Sequence, residues 1–148
     1  MHQIPIGAKG SYQLRLDVEH LASSANPALP EVMATPMMIL TMEQAAMNAL
    51  VPYFEAGETS VGITVNVEHL AATPIGHLVR AEAEVVKVEG RRIEFSVAAF
   101  DEREQIGRGM HTRAVVALEK FNQRLQPKVK KMNPAPMRRR ADGSTTVR

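Results

Sequence analysis

The chain has 148 residues, a length typical of one domain that buries its own hydrophobic core. It contains no cysteine, which excludes disulfides and thiolate metal sites and is typical of a cytosolic protein. The first residues lack an apolar stretch long enough for a signal peptide or a membrane span, so we expect a cytoplasmic protein that does not act at a membrane.

The formal net charge of +2 is unevenly distributed. Residues 126–148 carry seven basic residues and one acidic residue, whereas the remainder of the chain carries 11 basic and 15 acidic residues. The basic character therefore belongs to a tail, and the main domain is acidic. We predict that residues 123–148 form a basic, disordered extension. Nucleic-acid binding by this tail is a weaker alternative, because no aromatic residues lie among its basic ones.

Residues 11–20 are predicted to form a half-buried strand, because apolar side chains occupy every second position: Tyr12, Leu14, Leu16 and Val18. A loop with two prolines follows. Residues 36–54 are rich in Met, Leu and Ala and are predicted to form the only long helix. Thr35 is its expected N-cap, and Pro36 its first helical residue.

Four further strands are predicted around residues 61–67, 79–85, 93–99 and 105–119, each with alternating apolar positions. The turn at Glu89-Gly90 predicts a hairpin, and a charged turn at 101–104 precedes the last strand. This order predicts an α+β domain in which a curved, five-stranded, largely antiparallel sheet wraps around one long central helix. We assign residues 1–10 to an N-terminal extension and residues 11–122 to this domain.

Glu43 is a candidate catalytic residue. It lies on the apolar face of the predicted helix, opposite a polar stripe formed by Thr41, Gln44 and Asn48. A carboxylate in that position costs free energy unless it is paired, and it is suited to act as a general base or nucleophile. The alternative is a structural carboxylate that reaches the helix edge or pairs with a basic group in the core.

Thr35 and His69 are two further candidates. The N-terminus at Thr35 offers free N–H groups and a positive dipole end, which stabilise an oxyanion, although N-capping alone would also explain a threonine there. His69 is in phase with Val61 to Val67, which predicts that it points toward the helix. It is either a general acid and base or a core histidine. The histidines show no metal-ligand spacing, so no metal is expected. No G-x-S-x-G elbow is present, which excludes an α/β-hydrolase.

Four stretches resemble the fluoroacetyl-CoA thioesterase family of hotdog-fold enzymes: EVMATPMMILTMEQA (31–45), VGITVNVEHLAATPIG (61–76), VEGRRIEFSV (88–97) and GMHTRAVVALEKFN (109–122). The resemblance covers about residues 11–122. It implies a hotdog fold, hydrolysis of a short acyl-CoA to the free acid and CoA, and a homodimer or higher homo-oligomer with sites between subunits. It implies no cofactor or metal beyond the CoA that the substrate carries.

The resemblance also implies roles for particular residues. The threonine, glutamate and histidine of the family's site fall on Thr35, Glu43 and His69, which are therefore the expected catalytic residues. Its strand glycine falls on Gly62, and the arginine of its last strand on Arg113, both expected to bind substrate.

The acyl group is less well defined than the reaction. The family's aromatic lid residues are replaced here by Asn26 and Leu29, and we expect Leu29 to contact the substrate. Two other functions are considered. A hydratase or dehydratase of the same fold needs an aspartate and a histidine where the helix begins, and residues 30–40 contain neither. A non-catalytic acyl-CoA-binding or regulatory module would bind the ligand without turnover.

Overall fold

The computed structural model describes residues 1–129 and the backbone of residues 138–139 and 145–146. The chain divides into two compact units, Met1–Leu118 and Glu119–Arg148. The first unit contains seven named elements: β1 (Lys9–Arg15), α1 (Ala22–Ala25), α2 (Thr35–Leu50), β2 (Glu58–His69), β3 (Leu78–Glu89), β4 (Arg92–Phe100) and β5 (Gln105–Ala117). Two 3-10 turns, Val18–His20 and Val51–Tyr53, complete it.

The five strands form one sheet in the order β1-β3-β4-β5-β2, and every neighbouring pair is antiparallel. Helix α2 contacts all five strands, so the sheet curves around it. The predicted α+β architecture is confirmed, including the hairpin between β3 and β4. Strands β1 and β2 are the two edges of the sheet.

The core lies between α2 and the concave face of the sheet. The predicted alternation on the two central strands is confirmed, because these side chains are buried: Val79, Ala81, Ala83 and Val85 on β3, and Ile93, Phe95, Val97 and Ala99 on β4. Small residues on the strands allow the backbone of α2 to approach the sheet closely. A side chain at Gly10 of β1 would overlap the Ala45 carbonyl oxygen and the Ala49 nitrogen, and one at Gly107 of β5 would overlap Met38.

The predicted polar stripe on the helix is partly wrong. Thr41 is fully buried, and its hydroxyl donates to the Met38 carbonyl at 2.6 Å, so the helix itself satisfies it. Asn48 is exposed, as expected, and Gln44 is half-buried. Glu43 is also half-buried and lies at the margin of the buried face.

A β-bulge in β2 changes which side chains face the helix. The register shifts between Gly62 and Thr64, so Gly62 pairs with Arg113 while Val65 pairs with His111. Paired residues of an antiparallel ladder share a face, and Arg113 and His111 are both buried. Gly62 and Val65 therefore face the same side. The prediction that Val61 is in phase with His69 is wrong, because the extra residue reverses the alternation.

Several predicted boundaries also differ. Strand β1 ends at Arg15, and Val18 is exposed within a 3-10 turn. Helix α2 ends at Leu50, and Pro52, which lacks an N–H, lies in the 3-10 turn that follows it. Ile4, in the predicted N-terminal extension, is buried in the core.

The second unit contains α3 (Leu118–Leu125, which begins at the last residue of the first unit), a 3-10 turn (Gln126–Lys128) and two short paired strands, β6 (Arg138–Arg139) and β7 (Thr145–Thr146). Residues 123–128 are therefore helical, contrary to the prediction of disorder. The remainder of the predicted tail lies outside the described residues, apart from β6 and β7. In the part of the chain that is described, no helix is long and apolar enough to cross a membrane.

We expect Gly10→Ala to destabilise the fold by about 3 kcal/mol, because the added methyl group would push α2 away from β1. Urea unfolding measures this change. Ser11→Ala, at the exposed neighbouring position, is the control and should stay within about 0.5 kcal/mol of the parent. Equal stabilities for the two variants would contradict the close helix–strand contact.

Candidate active site

Thr35 and His69 are in direct contact at the N-terminus of α2. Thr35 Oγ1 lies 2.9 Å from His69 Nδ1. The N-cap residue is Ala34, which makes Thr35 the first helical residue. The predicted capping role of Thr35 is therefore wrong, and its hydroxyl is used to orient the imidazole ring.

Backbone hydrogen bonds fix the two segments that carry this pair. Before α2, the Met33 N–H donates to the Thr73 carbonyl at 2.8 Å, and the Ala34 N–H donates to the His20 carbonyl at 2.9 Å. Thr73 follows β2 and is fully buried, and its hydroxyl donates to the Asp101 carboxylate at 2.9 Å. The start of α2 and the loop after β2 are therefore joined, which holds Thr35 and His69 together.

The second nitrogen of His69 is available for chemistry. Nε2 is buried and has no hydrogen-bond partner among residues 1–129. Buried polar atoms in folded proteins nearly always have a partner, so this atom indicates a place for substrate, water or a second chain. Burial lowers the pKa of His69 below its ordinary value, and the Ala71 backbone opposes this effect. The ring is therefore neutral near pH 7 and able to accept a proton.

A cavity of about 580 Å³ lies next to the Thr35–His69 pair. Its size is typical of sites for small molecules. Leu29 lies at the cavity wall, together with mainly apolar residues that include Ala22, Val32, Met33 and Leu70. The predicted substrate contact of Leu29 stays a prediction, but its position allows it.

Glu43 belongs to a second polar group, formed with Gly62 and Arg113. Glu43 Oε2 lies 3.5 Å from Arg113 Nη1, and the Glu43 side chain is 35% exposed whereas that of Arg113 is 9% exposed. A Cβ atom at Gly62 would lie 3.2 Å from the same carboxylate oxygen. Glycine therefore leaves room for the carboxylate, and Arg113 supplies its counter-charge.

Two residues of this group were not among the predicted site residues. Ser60 accepts a hydrogen bond from Arg113 Nε at 2.8 Å through its hydroxyl, and one from Nη2 at 3.0 Å through its carbonyl. His111 Nε2 lies 3.2 Å from Arg113 Nη1. Burial lowers the pKa of both His111 and Arg113. The signal for His111 was its position two residues before Arg113, which places both on one face of β5.

The two groups are separate within one protomer. Thr35 and Glu43 are eight residues apart on α2, or about 12 Å along the helix axis. Gly62 and His69 lie at opposite ends of an eight-residue stretch of β2, about 20 Å apart. No hydrogen bond or ion pair within residues 1–129 joins the groups. The same part of the chain contains no group of three His, Cys, Asp or Glu residues that could hold a metal ion.

Solved structures define the class of protein. The chain superposes on a fluoroacetyl-CoA thioesterase with a TM-score of 0.81 and 37% identity, covering 86% of this chain and 99% of that one. It superposes on a hot-dog-like protein from Thermanaerovibrio acidaminovorans with a TM-score of 0.77 and 27% identity, over 87% and 96% of the two chains. The protein is a hotdog-fold acyl-CoA thioesterase.

Sequence comparison gives the family. Residues 16–119 match the family described as fluoroacetyl-CoA-specific thioesterase. The fluoroacetyl-CoA thioesterase of Streptantibioticus cattleyicolor is 48% identical over 99 residues, which cover 67% of this chain and 71% of that protein. The chain belongs to the fluoroacetyl-CoA-specific thioesterase family, and the predicted fold, reaction and resemblance are confirmed.

We expect acid to destabilise the fold through the two histidines whose pKa is lowered by burial, His69 and His111. As the pH falls through the ordinary value of 6.5, the unfolded chain binds protons that the folded chain does not, so the free energy of unfolding decreases. The loss continues until the pH reaches the lower pKa of the folded state. Urea unfolding at about pH 7.5 and about pH 5.5 measures it.

His69→Asn should reduce this pH-dependent loss, because one of the two groups no longer titrates. An unchanged difference between the two pH values in that variant would contradict the assignment.

Proposed function

We propose that Thr35, Glu43 and His69 carry out the hydrolysis of a short acyl-CoA, in active sites that two copies of the chain share. The observation that carries this proposal is the separation of the two polar groups. One protomer holds the Thr35–His69 pair and the Glu43 carboxylate about 12 Å apart along α2, whereas one thioester needs them together.

A twofold dimer through β2 would bring the groups together. Strand β2 is an edge of the sheet, and Ile63 and Val65 on it are exposed apolar residues. Exposed edge strands favour pairing with another chain. If β2 pairs antiparallel with its copy about an axis through Asn66, and Ile63 is the extra residue of the bulge, Gly62 of one protomer lies opposite His69 of the partner subunit. Each carboxylate then approaches the imidazole of the other copy.

The N-terminus of α2 supplies the proposed site for the thioester carbonyl. Pro36 has no N–H, and no hydrogen bond between residues 1–129 uses the Thr35 backbone N–H. This donor, together with the positive end of the helix dipole, is suited to stabilise the oxyanion that forms during acyl transfer. The Thr35 hydroxyl keeps His69 oriented beside it.

Glu43 supplies the attack on the carbonyl carbon by one of two routes. In the first route, its carboxylate attacks directly, forms an acyl anhydride and expels the CoA thiolate, and water then hydrolyses the anhydride. In the second route, the carboxylate takes a proton from water, which attacks as hydroxide. In both routes His69 transfers protons to the leaving thiolate or from the attacking water. Arg113 keeps the carboxylate oriented.

The acyl group is proposed to lie in the cavity beside Thr35, in contact with Leu29. The hydratase alternative is disfavoured, because the N-terminus of α2 carries the Thr35–His69 pair and no aspartate. A cytoplasmic location stays a prediction.

We expect Glu43→Gln to lower kcat by about a thousandfold or more, because the amide neither attacks the carbonyl nor accepts a proton. Thr35→Ala should lose less, about tenfold to a hundredfold, if the hydroxyl only positions other groups. Thiol release from acetyl-, fluoroacetyl-, long-chain and aromatic acyl-CoA measures both, and the protein has no cysteine to interfere. Glu82→Gln, at an exposed position on β3, is the control.

Near-normal turnover by folded Glu43→Gln would contradict both routes. If the parent protein bound these acyl-CoA esters but released thiol from none of them, the chain would be a binding module and Glu43 a structural carboxylate.

Mixing two inactive variants tests the shared site. A dimer of one His69→Ala chain and one Glu43→Gln chain has one intact site if the partner subunit supplies Glu43. Random pairing of equal amounts should restore about a quarter of the parent activity. The pair Thr35→Ala and His69→Ala is the control, because both changes affect the same half of the site, and this mixture should gain no activity. Absence of recovery with the first pair would assign all three residues to one protomer.

A further inference from the structure

We propose that His111 is a positioning residue for this reaction. In its neutral form, with the hydrogen on Nδ1, it holds the Arg113 guanidinium in the orientation that faces Glu43. The inference rests on the proposed role of Glu43, but the tautomer of the His111 imidazole is measured without substrate.

The two hydrogen bonds of His111 fix its protonation. Nδ1 lies 2.8 Å from the Thr64 carbonyl oxygen, which only accepts, so Nδ1 must carry a hydrogen. Nε2 lies 3.2 Å from Arg113 Nη1, which only donates, so Nε2 must have a free lone pair. Only the neutral Nδ1–H tautomer satisfies both contacts.

The guanidinium of Arg113 is held at each of its three nitrogen atoms. Nε and Nη2 donate to Ser60, while Nη1 donates to His111 and also faces the Glu43 carboxylate at 3.5 Å. Arg113 is buried, and a buried donor that loses its partner costs free energy. The guanidinium is planar and moves as one unit, so the loss of the acceptor on His111 removes one of the contacts that fix its orientation. His111 and Ser60 together therefore set the direction in which Nη1 points.

His111 also ties this group to the bulge in β2. Thr64 is the first residue paired after the register shift, and Gly62 is the last one before it. The ring donates to the Thr64 carbonyl, and its Cε1 atom would lie 3.4 Å from a Cβ atom on Gly62. The His111 ring thus supports the β-bulge that brings Gly62 beside the Glu43 carboxylate.

The charges around His111 favour the neutral ring. Arg113 on β5 and Glu43 on α2 are the charged groups that act on it. Its neutral neighbours are the Thr64 carbonyl of β2 and the Phe95 ring of β4, whose centroid lies 6.3 Å from that of His111. Burial and Arg113 lower the pKa of His111, while Thr64 and Glu43 oppose this. Protonation would place an N–H against the guanidinium, so the contact with Arg113 is present above the pKa of the folded state and lost below it.

Nuclear magnetic resonance of the imidazole nitrogens in the parent protein tests the tautomer directly. The ¹⁵N shifts distinguish Nδ1–H, Nε2–H and the cation, and the His111→Gln spectrum identifies the signals. We expect neutral Nδ1–H at about pH 7, the pH at which an unperturbed histidine is mostly neutral. The Nε2–H tautomer or the cation at that pH would overturn the proposal.

Two variants separate positioning from a structural role. The amide oxygen of His111→Gln reaches the place of Nε2 and still accepts from Arg113. The amide of His111→Asn reaches only the place of Nδ1, so it still donates to Thr64 but leaves Arg113 without its acceptor. We expect kcat to fall by about threefold in the first variant and by about a hundredfold in the second, with KM nearly unchanged in both. Thr112→Val, on the opposite face of β5, is the control.

Equal losses of kcat in the two variants, or a larger loss in His111→Gln, would overturn the positioning role. Both variants are compared with Glu43→Gln in the same assay. A normal rate in Glu43→Gln would contradict the proposed function, while the measured tautomer would still decide the state of His111.

Discussion

The close approach of α2 to the sheet is the constraint on which the rest of the structure depends. At Gly10 the helix backbone lies where a side chain would otherwise be, and the strands beneath the helix carry alanines at buried positions. A helix held this tightly has a fixed direction and a fixed rotation about its axis. Its N-terminus therefore meets the end of β2, where His69 lies, and Glu43 faces Gly62, which lies seven positions earlier in the same strand.

The second determinant is the compensation of charge at the margin of the core. Arg113 is almost fully buried, and burial of an unpaired cation would be costly. Ser60, His111 and Glu43 together contact all three nitrogen atoms of its guanidinium. The same contacts that make this burial tolerable also orient the carboxylate that we propose as the reacting group. Stability and chemistry are thus served by one set of hydrogen bonds.

The sequence predicts the architecture well because alternation on β3 and β4 reports directly on burial. It predicts less where one residue changes the local geometry. The bulge at Ile63 has no clear signal in the pattern, because apolar residues continue to alternate through it, and so Val61 was assigned to the wrong face. The pattern places Thr41 in a polar stripe because threonine is a polar residue. In the structure its hydroxyl bonds to the backbone of its own helix, so the side chain is buried as an alanine would be.

The candidate site, too, can be predicted from the sequence only in part. The sequence predicts that Thr35 lies at the start of the helix and that His69 points toward the helix, but their direct contact and the N-cap at Ala34 are findings of the structure. His111 and Ser60 were missed because their importance lies in hydrogen-bond direction, which requires coordinates. The separation of Glu43 from Thr35 follows from helix geometry alone and could be calculated from the sequence.

Because Thr35 and Glu43 are eight residues apart on one helix, the distance between them and their relative direction cannot be changed independently. Inserting one residue between them would add about 1.5 Å and also rotate the carboxylate by about 100° around the helix axis, away from Gly62 and Arg113. Loops such as residues 101–104 have no such coupling between length and direction. Changes of chain length during evolution are therefore expected to accumulate in the loops, while the number of residues from Thr35 to Glu43 stays constant.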